Sequence, residues 1–195
     1  MQSSCVLNAV GWLACCVYAT IPGFWLLIHP RADYWRSRFR SPYRALLPLW
    51  IGMWIVAAAV TAPWRKVTAY RSPWAWLPAV ALFVCGLTIY RFAAVNFSLA
   101  QLGGLPEVLA GNLEQRLVRS GIRKHIRHPI YLAHLCEMLG WSIGTGVAVC
   151  SGLTAFAIVT GAIMIRLEDE ELSRRFGEEF REYRERVPAV LPKLW

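Results

Sequence analysis

The sequence predicts an all-α protein, a polytopic bundle of about five transmembrane helices with an amphipathic helix near its C-terminus. Three observations carry that expectation. Hydrophobic residues make up 56% of the 195-residue chain and charged residues 17%, against roughly 25% charged in an average soluble domain. The charges are segregated: residues 5–28, 45–64, 72–90 and 138–165 contain no Asp, Glu, Lys or Arg. A bilayer core about 30 Å thick takes roughly 20 apolar helical residues, so the first three stretches each cross once. The fourth, with its mostly apolar approach from Pro129, has the length for two helices.

Placement of the basic residues is the third observation. The net charge of +9 would point to nucleic acid in a soluble protein, but the positive-inside rule accounts for it here. No nucleic-acid partner is expected. Residues 29–44 carry Arg31, Arg36, Arg38, Arg40 and Arg44 against Asp33 alone. Residues 91–128 carry Arg91, Arg116, Arg119, Arg123, Lys124 and Arg127 against Glu107 and Glu114. The intervening loop at 65–71 has only Arg65, Lys66 and Arg71. With the richer loops inside, the N-terminus lies outside and the C-terminus inside. The chain is then one membrane domain, 1–195: three helices within 1–90, an internal loop at 91–128, a helical hairpin at 129–165 and a cytosolic segment at 166–195.

The first helix runs through 5–28 and stops near His29-Pro30. It lacks a basic leader and is too long for a signal h-region, which argues against a cleaved signal peptide. The stretch YWRSRFRSPYR at 34–44 suits the headgroup level, with snorkelling arginines. Trp50, Trp54, Trp64, Trp74 and Trp76 fall in or near the ends of the second and third helices, as aromatic belts do. Pro48, Pro63 and Pro78 lie near helix ends, where a missing donor is tolerated. Asn96, Gln101, Gly103, Gly104 and Pro106 break the apolar pattern and predict a loop with a short helix. The hairpin turns at SIGTG, 142–146, and its helices of about 17 residues are short for a full crossing. The six cysteines all lie in apolar segments, without CxxC or zinc spacing, so packing is their expected role. No metal site is expected.

From Arg166 to Trp195 the chain carries eight acidic and seven basic residues. Leu172, Phe176, Phe180, Tyr183 and Val187 recur at spacings of four, four, three and four, the stripe of one amphipathic helix. Two charged patches then meet on the inner face if 129–165 is a hairpin. GIRKHIRHPIY at 121–131 precedes the fourth span and RLEDEEL at 166–172 follows the fifth. Charge pattern alone is consistent with a lipid-headgroup anchor beside a solvated acidic helix.

RHPIY at 127–131 resembles the RHPxY motif of the isoprenylcysteine carboxyl methyltransferase family of membrane enzymes. A second block resembles the family through Arg166, Glu168-Asp169, Leu172, Phe176-Gly177, Tyr183, Val187-Pro188 and Pro192. The register matches with Glu168-Asp169, not Glu170-Glu171, as the acidic pair. The resemblance covers roughly 118–193. It implies an S-adenosyl-L-methionine-dependent methyltransferase whose cofactor pocket lies on the cytosolic side and is closed by the C-terminal helix. It also implies a lipophilic small-molecule or lipidated acceptor that enters from the membrane lipids, in a bacterial inner membrane or an endoplasmic reticulum-like one.

On that resemblance the cofactor site takes in Gly121, Arg127, His128, Pro129, Tyr131, Glu168, Asp169 and Tyr183. An acidic group such as Glu168 suits an ammonium or a ribose diol. Arg127 or His128 suits the carboxylate, and Tyr131 and Tyr183 pack on the adenine or frame the methyl group. Arg166 is the candidate to orient a carboxylate acceptor. For an amine or thiol acceptor His125, His128 or Glu168 serves as base. The sequence departs from the family at Gly121-Ile122-Arg123, at Ala133 and in its Glu-Asp pair, which leaves isoprenylcysteine-like carboxylates, other carboxylates, amines and thiols open. Two other classes remain beside this one: an NADPH-dependent reductase of the sterol reductase type, and a non-catalytic accessory protein on the same scaffold. Glu137, one helical turn from His134 and two from Tyr131, is either functional or a structural carboxyl held by His134 or by its own proton.

Overall fold

A computed structural model describes residues 2–31, 34–35, 43–95 and 117–191, with side chains from Cys5 onward. The short helix expected within 91–128, the arginines at 36–40 and Pro192 lie outside the described residues. Among the described residues there are six α-helices: α1 (Gln2–Ile28), α2 (Tyr43–Thr61), α3 (Trp76–Ala94), α4 (Pro129–Thr145), α5 (Ala148–Phe176) and α6 (Glu178–Arg186). Short 3-10 turns at His29–Arg31, Ala62–Trp64, Pro73–Ala75 and Gly121–Lys124 connect them. Among the described residues there is no strand, only an isolated bridge between Thr68 and Val147. The all-α reading holds.

Among the described residues four helical stretches are long and apolar enough to cross a membrane: Cys5–Arg31, Tyr43–Trp64, Pro73–Ala94 and Ala148–Phe176. Helix α4, at 17 residues, is about 26 Å long at 1.5 Å per residue. It packs most extensively on α3 and also touches α1 and α5, so it is the centre of the bundle. Glycines make that closeness workable. A Cβ on Gly140 would come within 2.7 Å of the Phe83 ring, and one on Gly144 within 2.9 Å of Trp76. Small residues four apart let helix backbones approach in a bilayer, where lipid offers no hydrophobic drive.

Helix α1 lies along α5 and α4. Trp12, Cys15, Cys16 and Ala19 from α1 form one core with Met138, Val147, Cys150 and Leu153. The Ser142 and Thr154 hydroxyls share a buried 2.8 Å hydrogen bond between α4 and α5. Helix α2 joins more loosely, through Trp12 Nε1 to Thr61 Oγ1 (2.8 Å), Trp50 Nε1 to Thr20 Oγ1 (3.1 Å) and a Phe24–Trp50 stack.

The two ends of the bundle differ. At one, the loop after α2 clips onto the α4–α5 turn: Ala69 N–H donates to Gly146 O (2.8 Å), Ala148 N–H to Val67 O (2.9 Å) and Tyr70 OH to Ile143 O (2.7 Å). Of the expected turn SIGTG, Ser142–Thr145 remain helical and the chain reverses at Gly146, whose φ of 63° suits only glycine without strain. The other end gathers residues 29–31, 117–128 and 166–191. Helix α5 has 29 residues, about 44 Å, so its last turns stand clear of a 30 Å core. The apolar stripe expected on one helix is divided between two. Gly177, at φ 57°, ends α5 and starts α6. Phe180, Tyr183 and Val187 nevertheless bury together with Leu117, Leu172 and Phe176.

Candidate functional site

The site is built where α4 begins and α5 leaves the bilayer level. Pro129 is the first residue of α4, a position where its missing N–H costs nothing. His128 therefore sits at the N-cap, with φ −114° and ψ 62°. Residues 127 and 128 lie alongside the C-terminal chain: Arg127 N–H donates to Pro188 O (2.9 Å) and His128 N–H to Ala189 O (2.8 Å). Two backbone bonds thus hold the Arg-His pair in place before any side chain is considered.

Of the four consecutive acidic residues on α5, Glu168 and Asp169 face this pair. Asp169 is buried and accepts from Arg127 Nη2 at 2.6 Å and from His128 Nε2 at 2.9 Å. Glu168 Oε2 lies 3.3 Å from His128 Nδ1. Both ring nitrogens thus face carboxylates, the arrangement of a doubly protonated imidazolium. Burial opposes that charge, but Glu168 and Asp169 outweigh it and raise the His128 pKa to about 9. Glu170 is exposed, and Glu171 pairs with Arg175 one turn on.

Several expected site residues make contacts within the chain. Arg127 is committed to structure: besides Asp169, its Nη1 donates to the Arg184 carbonyl (3.1 Å) and to the Val187 carbonyl. Its Nε is buried without a hydrogen-bond partner among the described residues. Tyr183 is buried and donates to Arg123 O at 2.7 Å, and burial raises its phenol to about 12, so it locks α6 to the 121–124 turn. Tyr131 donates to Met164 Sδ at 3.0 Å, its ring 5.9 Å from His128. Gly121 opens the 3-10 turn at φ 63° and is exposed. His125 is exposed. Arg166 is exposed, and among the described residues no hydrogen bond or ion pair joins it to the cluster. Two residues before Glu168 on a helix means about 200° round the axis.

His29, where the sequence predicts only the end of the first helix, lies beside the cluster. It is 4% exposed, stacks on Trp25 at 5.3 Å, and lies within electrostatic range of Glu168, Glu171, Arg175 and His128. Glu168 is flanked by two His-Pro dipeptides, His29-Pro30 and His128-Pro129. That repeated dipeptide was the available signal. Deeper in α4, His134 is ringed by Tyr18 (5.2 Å), Tyr90 (5.5 Å) and Tyr131 (6.2 Å). Neither His134 Nδ1 nor Glu137 Oε1 has a hydrogen-bond partner among the described residues, so this imidazole nitrogen does not hold the carboxyl. No group of three or more His, Cys, Asp or Glu side chains among those residues is placed to hold a metal ion.

This geometry can be set against known proteins. A family model described as phospholipid methyltransferase matches residues 74–179, more than half of the chain, from the turn before α3 to the start of α6. The chain belongs to the phospholipid methyltransferase family. Within it, the human protein-S-isoprenylcysteine O-methyltransferase is 41% identical over 81 residues, 39% of this chain and 27% of that protein. The resemblance read from RHPIY and the acidic pair is thereby borne out. A cobalt-zinc-cadmium resistance protein of Cupriavidus metallidurans is 40% identical over 104 residues, 51% of this chain and 47% of its own. A nickel-cobalt-cadmium resistance protein of Alcaligenes xylosoxydans xylosoxydans is 31% identical over 148 residues, 74% and 65%. The aligned stretches span less than two thirds of each of these relatives.

Proposed function

We propose that the chain is an S-adenosyl-L-methionine-dependent methyltransferase acting on a lipophilic acceptor that reaches the site from the bilayer. One observation carries the reading. In a member of this family, the His128 end of α4 and the Glu168-Asp169 turn of α5 converge at the mouth of the bundle, and the buried Glu168 Oε2 is ion-paired with His128 Nδ1 at 3.3 Å but makes no hydrogen bond. A carboxylate oxygen accepts more than one donor, so a donor-bearing ligand can use the capacity that the ion pair leaves. The donor set fits the cofactor, because Glu168 suits its ammonium or its ribose hydroxyls.

When bound, S-adenosylmethionine supplies an electrophilic methyl carbon. The work of the chain is positioning and exclusion of water. His128, charged on both nitrogens, keeps Glu168 and Asp169 ionised and aimed. Arg127 and Tyr183 fasten the C-terminal chain over the site. Acceptors of the proposed class are isoprenylcysteine-like carboxylates, other carboxylates, amines and thiols. Five spans with the N-terminus outside put this end in the cytosol, which the arginine-rich segments at 29–44 and 91–128 support.

Calorimetry of the detergent-purified protein tests the reading. S-adenosylhomocysteine should bind, Glu168→Ala should weaken it about tenfold or more, and Glu170→Ala should leave it unchanged. Absence of binding to the wild-type protein overturns the proposal.

A further inference from the structure

We propose that His29 is a ligand-contacting residue of this pocket, its Nδ1 and Glu168 Oε2 together forming a two-point cradle for a hydrogen-bond-donating group of the bound nucleoside ligand. The inference rests on the methyltransferase reading but concerns a residue outside the matched family segment 74–179. His29 lies on the 3-10 turn that follows α1, and that turn packs directly on α5. The residue is 96% buried by its 4% exposure, yet Nδ1 has no hydrogen-bond partner among the described residues. Glu168 Oε2 makes no hydrogen bond either, although it is ion-paired with His128 Nδ1 at 3.3 Å, and it has accepting capacity left. Buried polar atoms are paired in the great majority of native sites. An unpartnered imidazole nitrogen on the turn after α1, and a carboxylate oxygen with accepting capacity on α5, the helix that turn packs against, mark a place where a partner from outside the chain belongs.

The neighbours narrow the chemistry. Among the described residues, the other charges in electrostatic range of His29 are paired: Glu171 with Arg175, and His128 with Glu168 and Asp169. A further anion from a ligand would meet Glu168 and be repelled. A further donor meets Glu168 Oε2, which only accepts, and Nδ1, which accepts in one tautomer and donates in the other. An ammonium satisfies both as acceptors, and a vicinal diol satisfies either tautomer. The stack on Trp25, at 24° between rings, fixes the imidazole plane so that Nδ1 is held in place without a hydrogen bond.

Substitutions at His29 separate contact from packing. His29→Phe keeps a ring on Trp25 and removes the nitrogen; His29→Asn keeps a polar atom near the Nδ1 position and loses the ring. With the full-length protein in detergent, S-adenosylhomocysteine should bind His29→Phe about tenfold or more weakly, with His29→Asn recovering part of the loss. Repeating the titrations with 5′-methylthioadenosine, which keeps the ribose and lacks the amino acid, assigns the group. A loss with both ligands puts the diol in the cradle, and a loss confined to S-adenosylhomocysteine puts the ammonium there. Wild-type affinity in His29→Phe overturns the inference while leaving the methyltransferase reading intact. Equal losses in both variants also overturn it, because they point to packing. A wild-type protein that binds neither ligand overturns the reading and this inference with it.

Discussion

Helices α2 and α4 have 19 and 17 residues and lie in the same bundle, yet they obey opposite rules. Helix α2 is apolar all round, and only 6% of its span is buried against protein. Leu47, Leu49, Ile51, Ile55, Val56 and Val60 face outward, where hydrocarbon is the solvent. Helix α4 carries His134, Glu137, Ser142 and Thr145, and nine of its 17 residues are buried, where it packs on α1, α3 and α5; on α2 Leu46 alone is buried. Apolarity therefore marks the helix that touches lipid, while polarity in a spanning segment marks the helix wrapped in protein. The functional end is attached to the second kind, because only a helix fixed on all sides holds an N-cap histidine still.

The sharpest way to break this contrast is at Asp169. Removing it by Asp169→Ala leaves Arg127 and His128 buried without their shared counter-ion. Loss of one partner from a buried pair costs about 3–5 kcal/mol. Hydrogen exchange should show α4, α5 and α6 losing protection while α2 keeps its own; equal loosening of α2 would show that the halves are not independent.

A pH titration is the next largest effect. His128 has a folded pKa of about 9, above the ordinary value of about 6.5 for histidine. Its bound proton stabilises the fold fully below about pH 6.5, and that contribution is lost as pH rises through about 9, at up to about 1.4 kcal/mol per pH unit. Thermal unfolding in detergent should therefore fall from pH 7 to pH 9.5, and a flat profile would contradict a charged His128.

The smallest effect compares glycines directly. Gly140→Leu forces a side chain into Phe83 and should cost about 1–3 kcal/mol by overpacking. At Gly52 on α2 a Cβ meets nothing within 4 Å, so Gly52→Leu should stay within about 0.5 kcal/mol. Unfolding in mixed detergent micelles measures both, and equal costs would erase the distinction between the helices.

Much of this was legible beforehand. Charge-free runs mark the helices because each carbon of Leu, Val or Ile facing lipid must be present in the sequence itself. RHPIY and Glu168-Asp169 were legible because their spacing brackets a hairpin, which brings both ends to one face. What escaped depends on rotation and on distant elements. Arg166 is near Glu168 in sequence and far round the helix. The bonds of Arg127 to the carbonyls of 184 and 187 come from elements far off in sequence, which its place in RHPIY does not foretell. His29 lies 139 positions before Glu168, and only the packing of α1 on α5 brings them together. Gly177 was noticed as part of a motif, but its positive φ, and so the break between α5 and α6, needed the backbone.

Glu137 is the ninth of the seventeen residues of α4 and faces the gap left by Gly86 on α3. A charged or strongly polar residue at the middle of a segment resists entry into lipid by about 2.5–3.5 kcal/mol on insertion scales. During biosynthesis α4 therefore does not settle as an independent unit. We expect it to wait at the translocation machinery until α3 offers the Gly86 notch and α5 arrives to close the hairpin. Delivering α4 to microsomal or bacterial membranes without α3 and α5 should leave it outside the bilayer, and ready insertion on its own would remove the idea.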